Sequence, residues 1–448
     1  MNSLDRIELF EKMPVKRAVI KQIMPAVAAQ MVAVIYSLAD TYFVGMLNSP
    51  AQTAAVTVVA PCFIMLTAVA NLFGVGGSSL IARKLGQRLE REAREVSAVT
   101  FWWGLISAAV FCMLFAALER PVLVLCGADS RSFGYALRYA RWAVVLGGLF
   151  TVSASVSANI IRAEGSAGTA SRGLALGGIL NILLDPLFIL PEFLGMGAEG
   201  AGLATALSNV ISSLFLLVYL IRRRQSVICI DPRLVRKTRD HIKPILSIGF
   251  ASAIQLMLTM VGVAAQAKFV SAYTTEAVAA LGIVKKLDQL PLYFTIGVSI
   301  GLLPLLAYNH AAGNEQRRSD AFRFGCTLSV SVAAACVIVY EIFAPQLAAL
   351  FIDDALTVDY AAGFLRRMVL AMPLMALAHP FITQFQAMGR VKESLICSML
   401  RKGVLDIPLL FLFDALLPLY GCMWVQPVVD SISLVVALIF YRRLKKAA

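Results

Sequence analysis

The chain carries its apolar residues in long blocks that are separated by short clusters of charged residues, glycine and proline. Dividing the sequence at those clusters gives twelve blocks, at approximately 18–46, 54–82, 97–118, 134–161, 170–190, 199–221, 243–271, 278–307, 322–345, 360–386, 395–413 and 420–441. A helix needs about 20 residues to cross a hydrocarbon core of about 30 Å, and every block is near or above that length. The pattern therefore predicts an all-α membrane protein with twelve transmembrane helices.

Composition excludes a soluble globular protein, because 59% of the residues are hydrophobic and only 15% are charged. The eight cysteines are scattered, with no Cys-x-x-Cys and no cluster of Cys and His, so we expect neither a metal site nor structural disulfides. The sequence lacks Gly-x-Ser-x-Gly, a Walker A lysine loop and His-Glu-x-x-His. We therefore predict that the protein is not an enzyme and needs no cofactor.

The net charge of +13 is unevenly distributed between the connections. Lysine and arginine concentrate in the N-terminus and in every second connection, whereas the opposite connections hold only Arg120 and Arg131 and several acids. This asymmetry predicts that both termini lie in the cytoplasm. The basic residues thus mark the cytoplasmic side of the membrane. We expect the lipid bilayer to be a partner and predict no nucleic-acid binding. We expect a multi-pass protein in the cytoplasmic (inner) membrane of a prokaryote.

A basic connection, 222–243, divides the chain into two halves, 1–221 and 244–448, and we interpret it as a cytoplasmic linker. The halves resemble each other, since Arg138 and Arg141 open the fourth block, and Arg366 and Arg367 open the tenth. Six spans per half is an even number, so the halves point the same way and are related by an axis along the membrane normal. Two such six-helix bundles around a cleft are typical of an alternating-access transporter.

Two acids interrupt the apolar blocks of the first half. Asp185 follows Asn181 by four residues, and Asp40 follows Tyr36 by four, so each pair shares one helix face. Counted at 1.5 Å per residue from the nearest basic cluster, Asp40 lies about 28 Å and Asp185 about 20 Å from the inner boundary. Acids at membrane depth usually mark ion or proton sites.

We predict a shared proton or cation site that also includes Thr205, which forms a polar pair with Asn209 in the sixth block. The alternative is that each acid is a structural hydrogen-bond partner between helices. In the second half, Lys285, Lys286 and Asp288 either neutralise one another or couple this half to transport. We interpret His379 as a packing residue of its helix, and the alternative is that it acts as a ligand.

Several short motifs occur in order along nearly the whole chain. They are Asp40-Thr-Tyr-Phe-Val-Gly45, Ala60-Pro61, Gly74-Val-Gly-Gly-Ser-Ser79, Arg83-Lys-Leu-Gly86, Arg162-Ala-Glu-Gly165, Asn181-x3-Asp185-Pro186, Glu199-Gly-Ala-Gly-Leu-Ala-Thr205, Gln386-Ala-Met-Gly389 and Arg401-x6-Pro408. The chain resembles the multidrug and toxic compound extrusion (MATE) family, in its DinF-like branch. The resemblance implies two six-helix bundles, a V-shaped cleft, and export of cationic amphipathic compounds against H⁺ or Na⁺.

The resemblance also assigns residues. Asp40, Asp185, Asn181 and Thr205 match the coupling site of that branch, and Asn159 matches a cavity-lining position. We add Asn209 to the predicted substrate cavity. We therefore predict a monomeric, H⁺- or Na⁺-coupled multidrug efflux antiporter for small cationic or amphipathic molecules. The alternatives are a flippase or exporter of a lipid-linked or other endogenous metabolite, and a non-transport membrane scaffold.

Overall fold

A computed structural model describes residues 3–222 and 226–447, so residues 223–225 of the predicted linker and the extreme termini lie outside it. All regular elements in that part are helices. The first half contains α1 Ser3–Ile7, α2 Val15–Gly45, α3 Pro50–Gly86, α4 Glu90–Leu125, α5 Phe133–Ala140, α6 Gly148–Ala163, α7 Ala167–Ile189 and α8 Ala198–Arg222. The second contains α9 Thr238–Val270, α10 Thr275–Ala311, α11 Glu315–Ala349, α12 Ala355–Met368, α13 Met372–Ala387, α14 Val391–Met399, α15 Asp406–Leu416 and α16 Gly421–Ala447.

Each predicted apolar block corresponds to one helix or to one broken helix. Within the described residues, ten helices are long and apolar enough to cross a membrane, and α5 with α6 forms an eleventh span bent by 43°. The remaining block is α14 and α15, where Lys402 is extended and Gly403 has a φ of +103°. The prediction of an all-α membrane protein with twelve crossing segments is confirmed, whereas the break in the eleventh segment was not anticipated.

The two halves meet through reciprocal helix pairs. The second span, α3, packs along the seventh, α9, and the first span, α2, packs along the eighth, α10. Exchanging the halves converts one of these pairs into the other, which is the arrangement expected of two similar halves. The segment predicted as the linker is partly helical and partly packed on the first half, because α9 begins inside it and Ile230 accepts a 2.8 Å hydrogen bond from Trp102 Nε1.

Glycines allow the halves to approach closely. A Cβ added to Gly249 of α9 would lie 1.7 Å from the carbonyl oxygen of Leu72 in α3. One added to Gly301 of α10 would lie 2.7 Å from Cα of Ile23 in α2. Small residues permit this backbone approach between membrane helices, where no hydrophobic stripe selects the partner. The interface between the halves therefore depends on individual glycines.

Candidate functional site

The predicted acidic site begins on α7, where Asn181 and Asp185 are both buried. Asn181 Nδ2 donates to Asp185 Oδ1 at 3.3 Å and lies 3.5 Å from Oγ1 of Thr205 on α8. The four-residue spacing places the first two side chains on one helix face, and the extensive packing of α7 on α8 supplies the third. These three predicted residues are therefore brought together.

The first span supplies the other two predicted residues. The Tyr36 ring lies against Gly178 on α7, because a Cβ added to that glycine would be 3.3 Å from Tyr36 Cδ1. The charge of Asp40 acts on Asp185, and the charges of both acids act on Tyr36. We call Tyr36, Asp40, Asn181, Asp185 and Thr205 the acidic site.

The oxygens of the acidic site lack partners. Asp40 Oδ1, Asn181 Oδ1 and Asp185 Oδ2 are buried and accept no hydrogen bond within the described part of the chain. Neither acid has a lysine or arginine within 4.0 Å among the residues that the structure covers. Carboxylate charge without a counter-charge at membrane depth is stabilised by a proton or a cation. The site thus offers free oxygen ligands of the kind that small hard cations prefer.

The sequence analysis missed Tyr139 of α5. Its side chain is buried, and it is close enough to Thr205 and to both acids to interact with them electrostatically. No spacing relates Tyr139 to the acids, because it belongs to a different span and reaches them only through the packing of α5 on α8. The only signal that the sequence offers is a tyrosine within the fourth apolar block.

A cavity of about 310 Å³ lies between the two halves. Asn159 lines it, as predicted, and Arg162 lies one turn further along α6, whereas Asn209 is half-buried and does not line it. Gln255 and His379 line it from the second half. Its other polar lining residues are Gln30, Thr67, Asn71, Ser155, Ser252, Tyr293, Ser299, Thr383 and Gln386.

The N-terminal segment crosses between the two halves. Arg317, at the start of α11, donates to the carbonyl oxygens of Phe10 and Met13, each at 2.6 Å, and to that of Leu9 at 3.2 Å. Glu11 accepts a 2.7 Å hydrogen bond from Tyr308 of α10. Glu11 also pairs with Arg88 of the first half at 2.6 Å. The segment therefore ties the ends of α3 and α10 together at the face where the halves meet.

A second buried polar cluster lies in the other half, around the break between α14 and α15. Arg401 pairs with Asp430 at 3.0 Å and donates to His379 Nε2 at 2.9 Å. His379 is thus hydrogen-bonded and also faces the central cavity, which is more than the packing role expected of it. Lys402 donates to Gln426 at 2.6 Å.

Of the three basic and acidic residues proposed for coupling in this half, only one lines the small cavity beside that cluster. Lys285, with Lys402 and Asp406, borders a space of about 20 Å³. Asp288 and Lys285 interact electrostatically but form no ion pair within 4.0 Å in the described structure. Lys286 is half-buried and does not line this cavity.

The described residues contain no group of three or more His, Cys, Asp and Glu side chains that could hold a metal ion. All eight cysteines are free.

The family model described as MatE matches residues 25–187 and 248–412, which together exceed half of the chain. The chain belongs to the MatE family. This is the family that the sequence motifs resemble, and that prediction is confirmed. The two matched ranges of this MatE protein fall one in each half, and the first includes Asp40, Asn181 and Asp185.

Similar proteins cover the MatE chain almost completely. The "Multidrug export protein MepA" of Staphylococcus saprophyticus is 27% identical over 435 residues, covering 97% of this chain and 95% of the relative. The protein of the same name from Staphylococcus aureus strain MRSA252 is 26% identical with the same coverage. A solved structure described as an "Outward-facing conformation of a multidrug resistance MATE family transporter of the MOP superfamily" matches with a TM-score of 0.92 and 26% identity, covering 98% of both chains.

Proposed function

We propose that this multi-pass MatE protein is a multidrug efflux antiporter of the DinF-like branch, which exports cationic or amphipathic compounds in exchange for H⁺ or Na⁺. One observation carries the coupling part of the proposal: the acidic site holds two carboxylates without a basic partner in the described chain and three oxygens without hydrogen bonds. A proton or Na⁺ would satisfy those oxygens. The names of the relatives support export of drugs.

The first span gives this site a route to the rest of the molecule. Helix α2 carries Tyr36 and Asp40 at the acidic site, and it packs both on α7 and on α10 of the other half. A change in the position of α2 on binding of the ion therefore alters the interface between the halves. For the ion to drive this change, it must bind the two conformations with different affinities.

Coupling through the first half is favoured because two buried acids of the second half, Asp406 and Asp430, already have partners. The seventh span presents an amide, Gln255, and no acid to the central cavity within the described residues. Asp430 is paired with Arg401, and Asp406 accepts a 3.0 Å hydrogen bond from the backbone of Gly403. These acids already have partners, whereas Asp40 and Asp185 lack basic ones.

The decisive experiment is efflux of ethidium, a fluorescent cation, from proteoliposomes with pH and Na⁺ gradients imposed separately. We expect one gradient to drive efflux by the wild type, and Asp40→Asn and Asp185→Asn to abolish the gradient-driven part. Asp353→Asn, at an exposed loop position, is the matched control and should behave as wild type. Undiminished gradient-driven efflux in both site variants would assign the acids a structural role and refute the proposed coupling site.

A second candidate is export of an endogenous metabolite, including a lipid-linked one. The observation in its favour is that the described lining of the central cavity contains an arginine and no carboxylate. Its test is the same proteoliposome assay, because an exporter dedicated to such a metabolite would move no ethidium under either gradient. It would still show gradient-dependent loss of its own substrate from loaded cells.

A further inference from the structure

Arg162 is the one charged side chain, apart from any on residues outside the described ranges, that lines the central cavity. It is only 4% exposed, and its Nε has no hydrogen-bond partner. The guanidinium makes no hydrogen bond or ion pair within the described chain, and no acid there is close enough to offset its charge. The proposed export mechanism assigns this residue no task.

The other buried arginines of the described structure are neutralised. Arg401 pairs with Asp430 at 3.0 Å, Arg6 pairs with Glu90 at 2.5 Å, and Arg318 pairs with Glu315. A buried guanidinium is costly without a carboxylate or a full set of acceptors, so this pairing is the expected arrangement. Arg162 departs from it.

The acid nearest to Arg162 in the sequence is directed elsewhere. Both carboxylate oxygens of Glu164 accept hydrogen bonds from Ser226 Oγ at 2.8 Å, and Oε1 also accepts one from the backbone N–H of Val227 at 3.1 Å. Glu164 therefore holds the segment after α8 and leaves the charge of Arg162 uncompensated. The remaining described lining residues of the cavity are neutral or apolar, apart from the imidazole of His379.

A guanidinium is a planar set of donors that matches the oxygens of a carboxylate or phosphate. It binds such an anion most strongly where water is partly excluded. A cavity of about 310 Å³ has the size of a small ligand site. We propose that the central cavity binds amphipathic compounds through an anionic group, a carboxylate, sulfonate or phosphate, held by Arg162, with Asn159 and Gln386 as neutral polar neighbours. The proposal rests on the export function only in treating the bound compound as cargo.

Equilibrium binding without a gradient tests this proposal. Dansylglycine and dansylglycinamide share one fluorophore and differ in whether they end in a carboxylate or a neutral amide. The purified full chain in a neutral detergent should bind dansylglycine at least about tenfold more tightly, which corresponds to about 1.4 kcal/mol. Arg162→Gln should abolish the preference, and Arg162→Lys should retain part of it because the charge remains.

Arg172→Gln is the matched control, since Arg172 is an exposed arginine on α7 whose loss removes the same charge outside the cavity. It should keep the wild-type preference. Equal affinity of the wild type for the two dyes, or a preference that survives in Arg162→Gln, would overturn the proposal. If Arg162→Gln does not fold, the wild-type comparison and Arg162→Lys still decide. A wild-type preference that is reduced but not lost in Arg162→Lys supports the site, whereas equal wild-type affinity for the two dyes, or a preference that is undiminished in Arg162→Lys, contradicts it.

A competition arm identifies the source of the anionic group. Displacement of dansylglycine by dihexanoyl phosphatidic acid, but not by dihexanoyl phosphatidylcholine, would assign the site to a lipid phosphate. Displacement by neither would assign it to a soluble anion. This test and the antiport test fail independently. A carboxylate preference without gradient-driven ethidium efflux refutes only the antiport. Gradient-driven ethidium efflux without a carboxylate preference refutes only the anion site.

Discussion

Replacing Gly249 by alanine should weaken the closed contact between the two halves. The added Cβ would lie 1.7 Å from the carbonyl oxygen of Leu72 and 2.5 Å from its carbonyl carbon. Close carbon–oxygen contacts are about 3.3 Å, so α9 and α3 must separate by about 1.6 Å at this point. Overpacking of this kind costs about 1–3 kcal/mol.

The cost falls on the conformation in which the halves touch. If the contact is absent in the opposite conformation of the transport cycle, a cost of 1–3 kcal/mol shifts the equilibrium between the two by about 5- to 150-fold. The shift should be visible as a population of longer distances between spin labels at Gln87 and Arg390. These positions are exposed, at the ends of α3 and α13 on the side where the halves meet.

Pulsed electron paramagnetic resonance on the doubly labelled protein, with the native cysteines replaced, measures those distances. Gly282→Ala is the matched control, because Gly282 lies on membrane helix α10 and a Cβ there meets nothing within 4 Å. We expect the control to reproduce the wild-type distribution. If Gly249→Ala also gives the wild-type distribution and melting temperature, the close approach of α3 and α9 does not control the position of the halves, and the reasoning is refuted.

Three further substitutions test other parts of the structure. Arg317→Gln should speed hydrogen exchange in residues 5–13 by about tenfold, because charged donors to three carbonyls are lost; unchanged exchange relative to the exposed control Arg323→Gln would contradict this. Gly403→Ala should lower the melting temperature in detergent, since the positive φ of +103° costs an L residue about 1–3 kcal/mol. Arg401→Gln should destabilise by about 3–5 kcal/mol because it leaves Asp430 buried and unpaired. The double variant with Asp430→Asn should recover part of that loss in thermal melts; no recovery would show that the pair is not the cause.

Features that depend on local spacing were predictable from the sequence. The lengths of the apolar blocks determine which segments can cross a membrane, and the structure has a helix or a broken helix at each of them. The contact between Asn181 and Asp185 follows from a four-residue separation on one helix. Both predictions need only the geometry of a single helix.

Tertiary packing decided what lies next to those local features. Tyr139 joins the acidic site, and Arg162 is left without a carboxylate, although the sequence places Glu164 only two residues away. Similarly, Lys285 lies beside Lys402 and Asp406 across the broken eleventh span, which spacing within α10 could not reveal.

The physical reason is that membrane helices lack a hydrophobic stripe that selects their partners. In water, an amphipathic pattern shows which face of a helix is buried, but in lipid both faces are apolar and the choice depends on close backbone packing. Here the choice depends on positions such as Gly249 and Gly301, whose role appears only when the opposing backbones of Leu72 and Ile23 are in place. The sequence by itself determined the spans and the chemistry that they carry, and the tertiary structure decided which side chains share a site and which charge is left unpaired.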